Sequence, residues 1–146
     1  MVEKPVPGSV ALDTMVFIYH FEDHPRFSSI TEKIFEKIEK GKLRAFTSYI
    51  TLLEILVKPY KDGDLKAASD YKNLLLTFPN LQFIPVDLEI AAAAASLRAE
   101  YSIKTPDAIQ LATAMSYRTD SYITNDEALK KIKKVNVRIL KDMKKF

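Results

Sequence analysis

The sequence predicts an α/β protein in which a five-stranded parallel sheet carries helices on both faces, wound right-handed into three α/β/α layers. Two observations carry this. Short apolar runs of strand length alternate with longer stretches of helical period along the chain. Two helical stretches separate successive strands at three places, the kind of crossover that parallel neighbours require.

Residues 9–13 (S-V-A-L-D) form a short apolar strand ending in an acid, and 15–21 continue with aromatic and aliphatic residues. In 27–40, Phe27, Ile30, Ile34, Phe35 and Ile38 keep helical spacing, and Gly41 supplies the stop. A second strand at 44–48 leads to a helix over 50–57 that Pro59 should halt. After the Asp62-Gly63 turn, Asp64 caps a helix running to Thr77. The third strand is 81–86, and Asp87 caps an alanine-rich helix over 88–101. Thr105-Pro106-Asp107 reads as an N-cap, a Pro at the first helical position and an acid in the first turn, opening a helix to about Tyr117. A fourth strand (121–124), a short helix (126–133) and a fifth strand (135–140) complete one expected domain over residues 1–146.

The 146 residues include no Cys, which removes thiol catalysis, Cys-based zinc sites and iron–sulfur clusters. With only 3 Gly there is no glycine-rich phosphate cradle for a dinucleotide or a nucleoside triphosphate. Chemistry is left to carboxylates, hydroxyls, amides, two His and basic groups. The net charge of +3 conceals an asymmetry: residues 130–146 hold eight bases against one acid, leaving the remainder at −4. A basic edge beside an acidic body steers anionic polymers, although lysines taken singly are usually a solvated face. Neither a signal-peptide pattern nor a membrane-length apolar run is present, so a cytoplasmic protein without membrane contact is expected.

In a doubly wound sheet, ligands bind at the carboxyl ends of the strands, beside the point where strand order reverses. Asp13, Asp87 and Asp126 fall at such ends, and Glu54 and Asp107 fall in early turns of helices opening on the same rim. Each acid also has a plain structural reading. Asp107 would favour the helix dipole by up to ~1 kcal/mol in any protein. Asp126 and Asp87 suit N-caps. Asp13 is harder to dismiss, because it extends the buried-looking run Val10-Ala11-Leu12. Glu54 is the most telling, since Ile50, Leu53 and Val57 place it inside an apolar stripe, where an unpartnered charge costs several kcal/mol.

If Asp13, Glu54, Asp107 and Asp126 converge, a close pair repels by about 4 kcal/mol at ~4 Å and an effective dielectric near 20. Such a cluster holds protons or binds a hard cation, and all-oxygen donors without Cys select Mg²⁺ or Mn²⁺ over Zn²⁺. A divalent ion on carboxylates suits phosphodiester hydrolysis. His20 and His24 stand one helical turn apart, but Pro25 disfavours helix at His24 and no H-E-x-x-H motif is formed. The aromatic residues Phe17, Tyr19, Phe21, Phe27 and Phe35 read first as core, with any exposed part available to a partner helix.

Four segments, V-A-L-D-T-M-V-F-I-Y (10–19), T-L-L-E-I-L (51–56), K-T-P-D-A-I-Q-L-A-T-A (104–114) and Y-I-T-N-D (122–126), together resemble the PIN-domain ribonucleases, in particular VapC-type toxins of toxin–antitoxin pairs. The acids are separated by 41, 53 and 19 residues, as in a compact member of that family. The resemblance implies strand order 3-2-1-4-5 and Mg²⁺ or Mn²⁺ held by Asp13, Glu54, Asp107 and Asp126. Of these, Asp13 and Asp107 match direct ligands, and Thr14 and Thr124 match orienting hydroxyls. Met15 stands where an Asn often follows the Asp-Thr pair. The resemblance further implies RNA cleavage leaving a 5′-phosphate and a 3′-hydroxyl, a homodimer, and a small antitoxin that fills a groove walled by the Phe-rich N-terminal helices. The alternatives are a stand-alone PIN RNase in RNA processing, an inactive PIN-like module, or a phosphoacceptor receiver using Asp87 with Thr124 and Lys141. The receiver reading is weakened because Asp13 has no adjacent second acid and two helices overfill the connection between strands two and three.

Overall fold

The computed structural model describes residues 5–143. The five strands are β1 (Val6–Leu12), β2 (Arg44–Ser48), β3 (Leu81–Ile84), β4 (Thr119–Thr124) and β5 (Val137–Ile139). They form one sheet in the order β3-β2-β1-β4-β5, and every pairing is parallel. Strand order therefore reverses at β1, between β2 and β4, as the family resemblance implied. Six helices connect the strands: α1 (Thr14–Phe21), α2 (Ser28–Glu39), α3 (Tyr49–Lys61), α4 (Leu65–Leu76), α5 (Leu88–Tyr101) and α6 (Thr105–Ser116).

Period-two alternation sends adjacent strand residues into different layers. Val10, Leu12 and Ile123 join Val16, Phe17, Ile34 and Phe35 in one core. Ala11 and Tyr122 join Ile90, Leu97, Ala108 and Leu111 in the other. Both faces are thus covered, as an all-parallel sheet requires. Phe17 sits near the centre of the first core, with ring centroids 5.2 Å from Phe35 and 6.5 Å from Phe83. The dense N-terminal aromatics are largely this core: Phe17, Phe27 and Phe35 are buried.

Several boundaries depart from the sequence reading. β1 begins at Val6, and its pairing with β4 shifts register between Val6 and Val10, where Gly8 adopts φ +71°. A side chain is strained in that conformation, so glycine is what lets the strand continue through the bulge. α3 is not halted by Pro59 but runs to Lys61. Pro59 lies in the last turn, so only one backbone bond is forfeited there, and the chain leaves the helix at Gly63 with φ +68°. α6 starts one residue earlier than expected, with Lys104 as the cap residue and Thr105 already helical. Pro106 has no N–H to satisfy, so it is tolerated at the second helical position as well as the first. The expected short helix after β4 is a 3₁₀ turn, Glu127–Lys131.

The basic tail is not a free polybasic arm where it is described. Lys130 pairs with Asp142 at 2.8 Å, Lys134 with Glu100 at 2.8 Å, and Lys141 with Glu127 at 3.6 Å. Lys144 and Lys145 lie outside the described residues. Asp87 accepts from Ile90 N at 2.8 Å and caps α5, the structural role expected for it. Asp87→Ala should therefore lower stability by about 1 kcal/mol, read from urea melts, with no effect on any catalytic activity.

Candidate acidic active site

The site is built at the carboxyl ends of β1, β2 and β4. Asp13 leaves β1 in an extended conformation (φ −72°, ψ 156°) and becomes the cap of α1. Its Oδ1 accepts from Thr14 N at 2.7 Å, and its Oδ2 accepts from Thr124 Oγ1 at 2.6 Å. One strand end thus orients the carboxylate from its own helix and from the neighbouring strand. Burial pushes the Asp13 pKa up, and Glu54 adds to this, while the Thr124 and Thr14 hydrogen bonds oppose it.

Asp107, in the first turn of α6, is the most perturbed acid. Its pKa is raised to about 6, first by burial and then by repulsion from Asp13, Asp126 and Glu54 in that order. A carboxylate biased by three others that are 94, 19 and 53 residues away in sequence reports that the fold has brought all four to one rim. Asp126 keeps its structural role as well, since it caps the 3₁₀ turn by accepting from Ala128 N at 3.0 Å. Its backbone N–H donates to Thr124 Oγ1 at 3.2 Å, so the Thr124 hydroxyl links Asp126 to Asp13.

Glu54 corrects the sequence argument while keeping its conclusion about position. The stripe of Leu53 and Val57 does not face the core: these side chains are 58% and 54% exposed, and the buried face of α3 is Thr51, Ile55, Leu56 and Pro59. Glu54 is exposed at the rim rather than embedded in apolar packing. It is held there by Thr14 Oγ1, which donates to its Oε1 at 2.7 Å. Thr14 and Thr124 thus each anchor a carboxylate.

Behind the rim runs a buried polar seam that the sequence reading missed. Gln110 Nε2 donates to Thr51 Oγ1 at 2.6 Å, and Gln110 Oε1 accepts from Ser48 N at 3.2 Å. Thr47 Oγ1 spends its proton on the Leu12 carbonyl (2.9 Å), so in the 2.7 Å Thr47–Thr51 pair the donor is Thr51. Thr51 also lies 3.1 Å from the Thr14 hydroxyl. The available signal was Gln110 itself, a polar residue one turn after Asp107 on the otherwise apolar stretch Ala108–Ala112.

Both histidines have structural work. His20 packs on Phe35, with centroids 4.7 Å apart, and burial lowers its pKa. His24 Nδ1 accepts from the N–H groups of Arg26 and Phe27, at 3.1 and 3.3 Å. Among the described residues, no three acids or histidines pack as tightly as a formed metal cluster. Asp13, Asp126 and Glu54 are nonetheless near enough to repel Asp107, and an all-oxygen donor set of that charge suits a hard divalent cation. Asp13 and Asp107 are the partly buried pair, and Glu54 and Asp126 are the exposed pair.

A separate groove of about 270 Å³ lies between α1, α3 and α4, lined among others by Ile18, Phe21, Ile55, Pro59 and Tyr71. None of the four candidate site acids lines it. Of the N-terminal phenylalanines, Phe21 lines it, whereas Phe17, Phe27 and Phe35 do not.

A 3-2-1-4-5 parallel sheet with four acids at the switch point defines the architecture of a PIN-type nuclease. The PIN domain family model matches residues 10–135, and the chain belongs to the PIN domain family, whose members are nucleases. Solved structures share this fold over nearly their whole length. One, a toxin–antitoxin complex from Klebsiella pneumoniae, is 25% identical with TM-score 0.70, covering 90% of this chain and 97% of its own. VapBC2 from Rickettsia felis, bound to a promoter DNA fragment, is 18% identical with TM-score 0.72, covering 90% and 98%. FitAcB from Neisseria gonorrhoeae is 18% identical with TM-score 0.68, covering 92% and 99%. No curated protein matches the sequence significantly.

Proposed function

We propose that this chain, as one PIN-like domain over residues 1–146, is a cytoplasmic Mg²⁺- or Mn²⁺-dependent endoribonuclease and the toxin of a toxin–antitoxin pair. The observation that carries the catalytic part is the placement of Asp13, Asp107 and Asp126 at the helix and turn starts beside the switch point. Thr14 ties Glu54 to the same rim, and the other three acids are near enough to push the Asp107 pKa up. Asp13 and Asp107 would hold the ion directly, with Glu54 and Asp126 acting directly or through water. When bound, the divalent ion supplies an activated water and offsets charge on the phosphoryl oxygens. The protein's share is orientation. Thr124 and the Thr14 N–H fix both oxygens of Asp13, and the Thr14 hydroxyl fixes Glu54. Glu54 and Asp126 are exposed, so a polymer can approach the rim from solvent.

The toxin part is supported by the likeness to solved toxin–antitoxin complexes. The groove between α1, α3 and α4 is the candidate seat for an antitoxin segment. The exposed Leu53, Val57 and Tyr60 on α3 support a homodimer, because a stripe of three large apolar residues is costly to leave in water. Among the described residues no helix is long and apolar enough to cross a membrane.

The test is incubation of the purified chain with structured and single-stranded RNA. Cleavage is expected with Mg²⁺ or Mn²⁺, leaving 5′-phosphate ends, and is expected to vanish on adding excess EDTA and return on restoring the metal. Cleavage that persists in EDTA would remove the metal-dependent reading.

A further inference from the structure

The second core contains one polar atom that the fold leaves unpaired. Tyr122, in β4, is wholly buried, and its hydroxyl makes no hydrogen bond among the described residues. A buried, unpaired hydroxyl is costly, and native structures rarely keep one without a use. Phe46 and Phe83, buried on strands β2 and β3, show that a ring with no polar atom serves elsewhere in the sheet.

The ring belongs to the core under α5 and α6, among Ala11, Ala108 and Leu111. Its side chain lies on the face carrying α6, whose first turn holds Asp107. Tyr122 pairs with Ala11 across the sheet, and Asp13 N donates to the carbonyl of the next residue, Ile123, at 2.9 Å, which sets Asp13 beside the Tyr122 strand. The hydroxyl and Asp13 perturb each other's pKa, yet the hydroxyl makes no hydrogen bond among the described residues. Asp13 already accepts from Thr14 N and Thr124 Oγ1, one donor on each oxygen. A carboxylate has about four acceptor sites, so a third donor has room.

We propose that Tyr122 is a positioning residue of the acidic site, its hydroxyl being the reserve donor for the Asp13 carboxylate that sets how Asp13 is presented to a divalent cation. The inference rests on the metal-dependent reading above. It assigns the orphan hydroxyl a partner that is present, correctly charged and incompletely satisfied, whereas the apolar neighbours of the ring offer none.

The test uses Tyr122→Phe, which removes one oxygen and keeps the ring. Mn²⁺ binding to the purified chain is measured by titration calorimetry, beside the melting temperature of the metal-free protein. Roughly tenfold weaker Mn²⁺ binding is expected, the lower end of the effect of groups that orient metal ligands. The metal-free melting temperature is expected to hold or rise, because an unpaired buried group has been deleted. In an Asp13→Asn background, Tyr122→Phe should cost no further affinity. Equal Mn²⁺ affinity in wild type and Tyr122→Phe would overturn the proposal while leaving the nuclease reading intact. A lower metal-free melting temperature with unchanged affinity would overturn it too, by assigning the hydroxyl to the core alone. Failure of the wild type to bind Mn²⁺ would remove both readings.

Discussion

Asp107→Asn is expected to abolish the proposed RNA cleavage and at the same time to stabilise the protein at neutral pH. The loss of activity should be at least on the order of 10³-fold, the rate equivalent of about 4 kcal/mol of transition-state charge stabilisation. The gain in stability follows from the sign of the pKa shift. The folded-state value, about 6, lies above the ordinary 3.8. Between those values the folded chain keeps a proton that the unfolded chain has lost, so stability falls as pH rises through that window and stays low above it. A shift of about two units corresponds to at most ~3 kcal/mol, and solvent screening at this partly exposed group reduces it to about 1 kcal/mol. Asn carries no charge and escapes the penalty, so melting curves of the variant should sit a few degrees above wild type at pH 7 and coincide with it at pH 4. Mn²⁺ should raise the wild-type curve and leave the variant nearly unmoved, because only a ligand bound by the folded state stabilises it. Asp13→Asn should also abolish cleavage with the fold intact. Undiminished cleavage by both purified variants would sink the assignment of these acids.

The same acids show what could and could not be read from the chain. Alternating strand and helix signals were legible because both sheet faces are covered, which leaves all but one position of each of β2, β3 and β4 buried and keeps each strand short and poor in charge. Asp13 was legible for a related reason: an acid extending such a strand needs a purpose. Glu54 lies at the rim, but not for the reason that pointed to it. Ile50, Leu53 and Val57 do form a stripe, but periodicity reports only that a face is apolar and cannot say whether it turns toward the sheet or toward solvent. Here the sheet took Ile55 and Leu56 instead. Helix ends moved, by four residues past Val57 at Pro59 and by one at Thr105, because proline near a helix terminus costs too little to fix a boundary by itself. The polar seam was illegible for a deeper reason. Thr47, Thr51 and Gln110 come from β2, α3 and α6, and a hydrogen bond spanning 59 residues leaves no local mark.

Gln110→Ala should prove the most destabilising of the polar changes near the site. Gln110 is 2% exposed, and its amide does two things that nothing else nearby can do: it accepts from Ser48 N, where β2 becomes α3, and it donates to Thr51. Truncation strands a buried N–H at the entry to the helix carrying Glu54, at about 1–3 kcal/mol, and adds the cost of the space left behind. A total near 3–4 kcal/mol is expected, lowering the melting temperature by roughly 10 °C in a domain of this size. Gln110→Leu separates the two contributions, since it restores most of the volume but neither hydrogen bond. It should recover no more than about 1–2 kcal/mol of the loss. If Leu recovered nearly all of it, volume rather than hydrogen bonding would hold α3 against α6, and the support that Gln110 Nε2 gives the Thr14 hydroxyl behind Glu54 (3.5 Å) would need a different account. If instead most of the deficit persists, the seam is what fixes the height of α3 on the sheet. The exposed Glu54 would then owe its place on the rim to a glutamine 56 residues further along the chain.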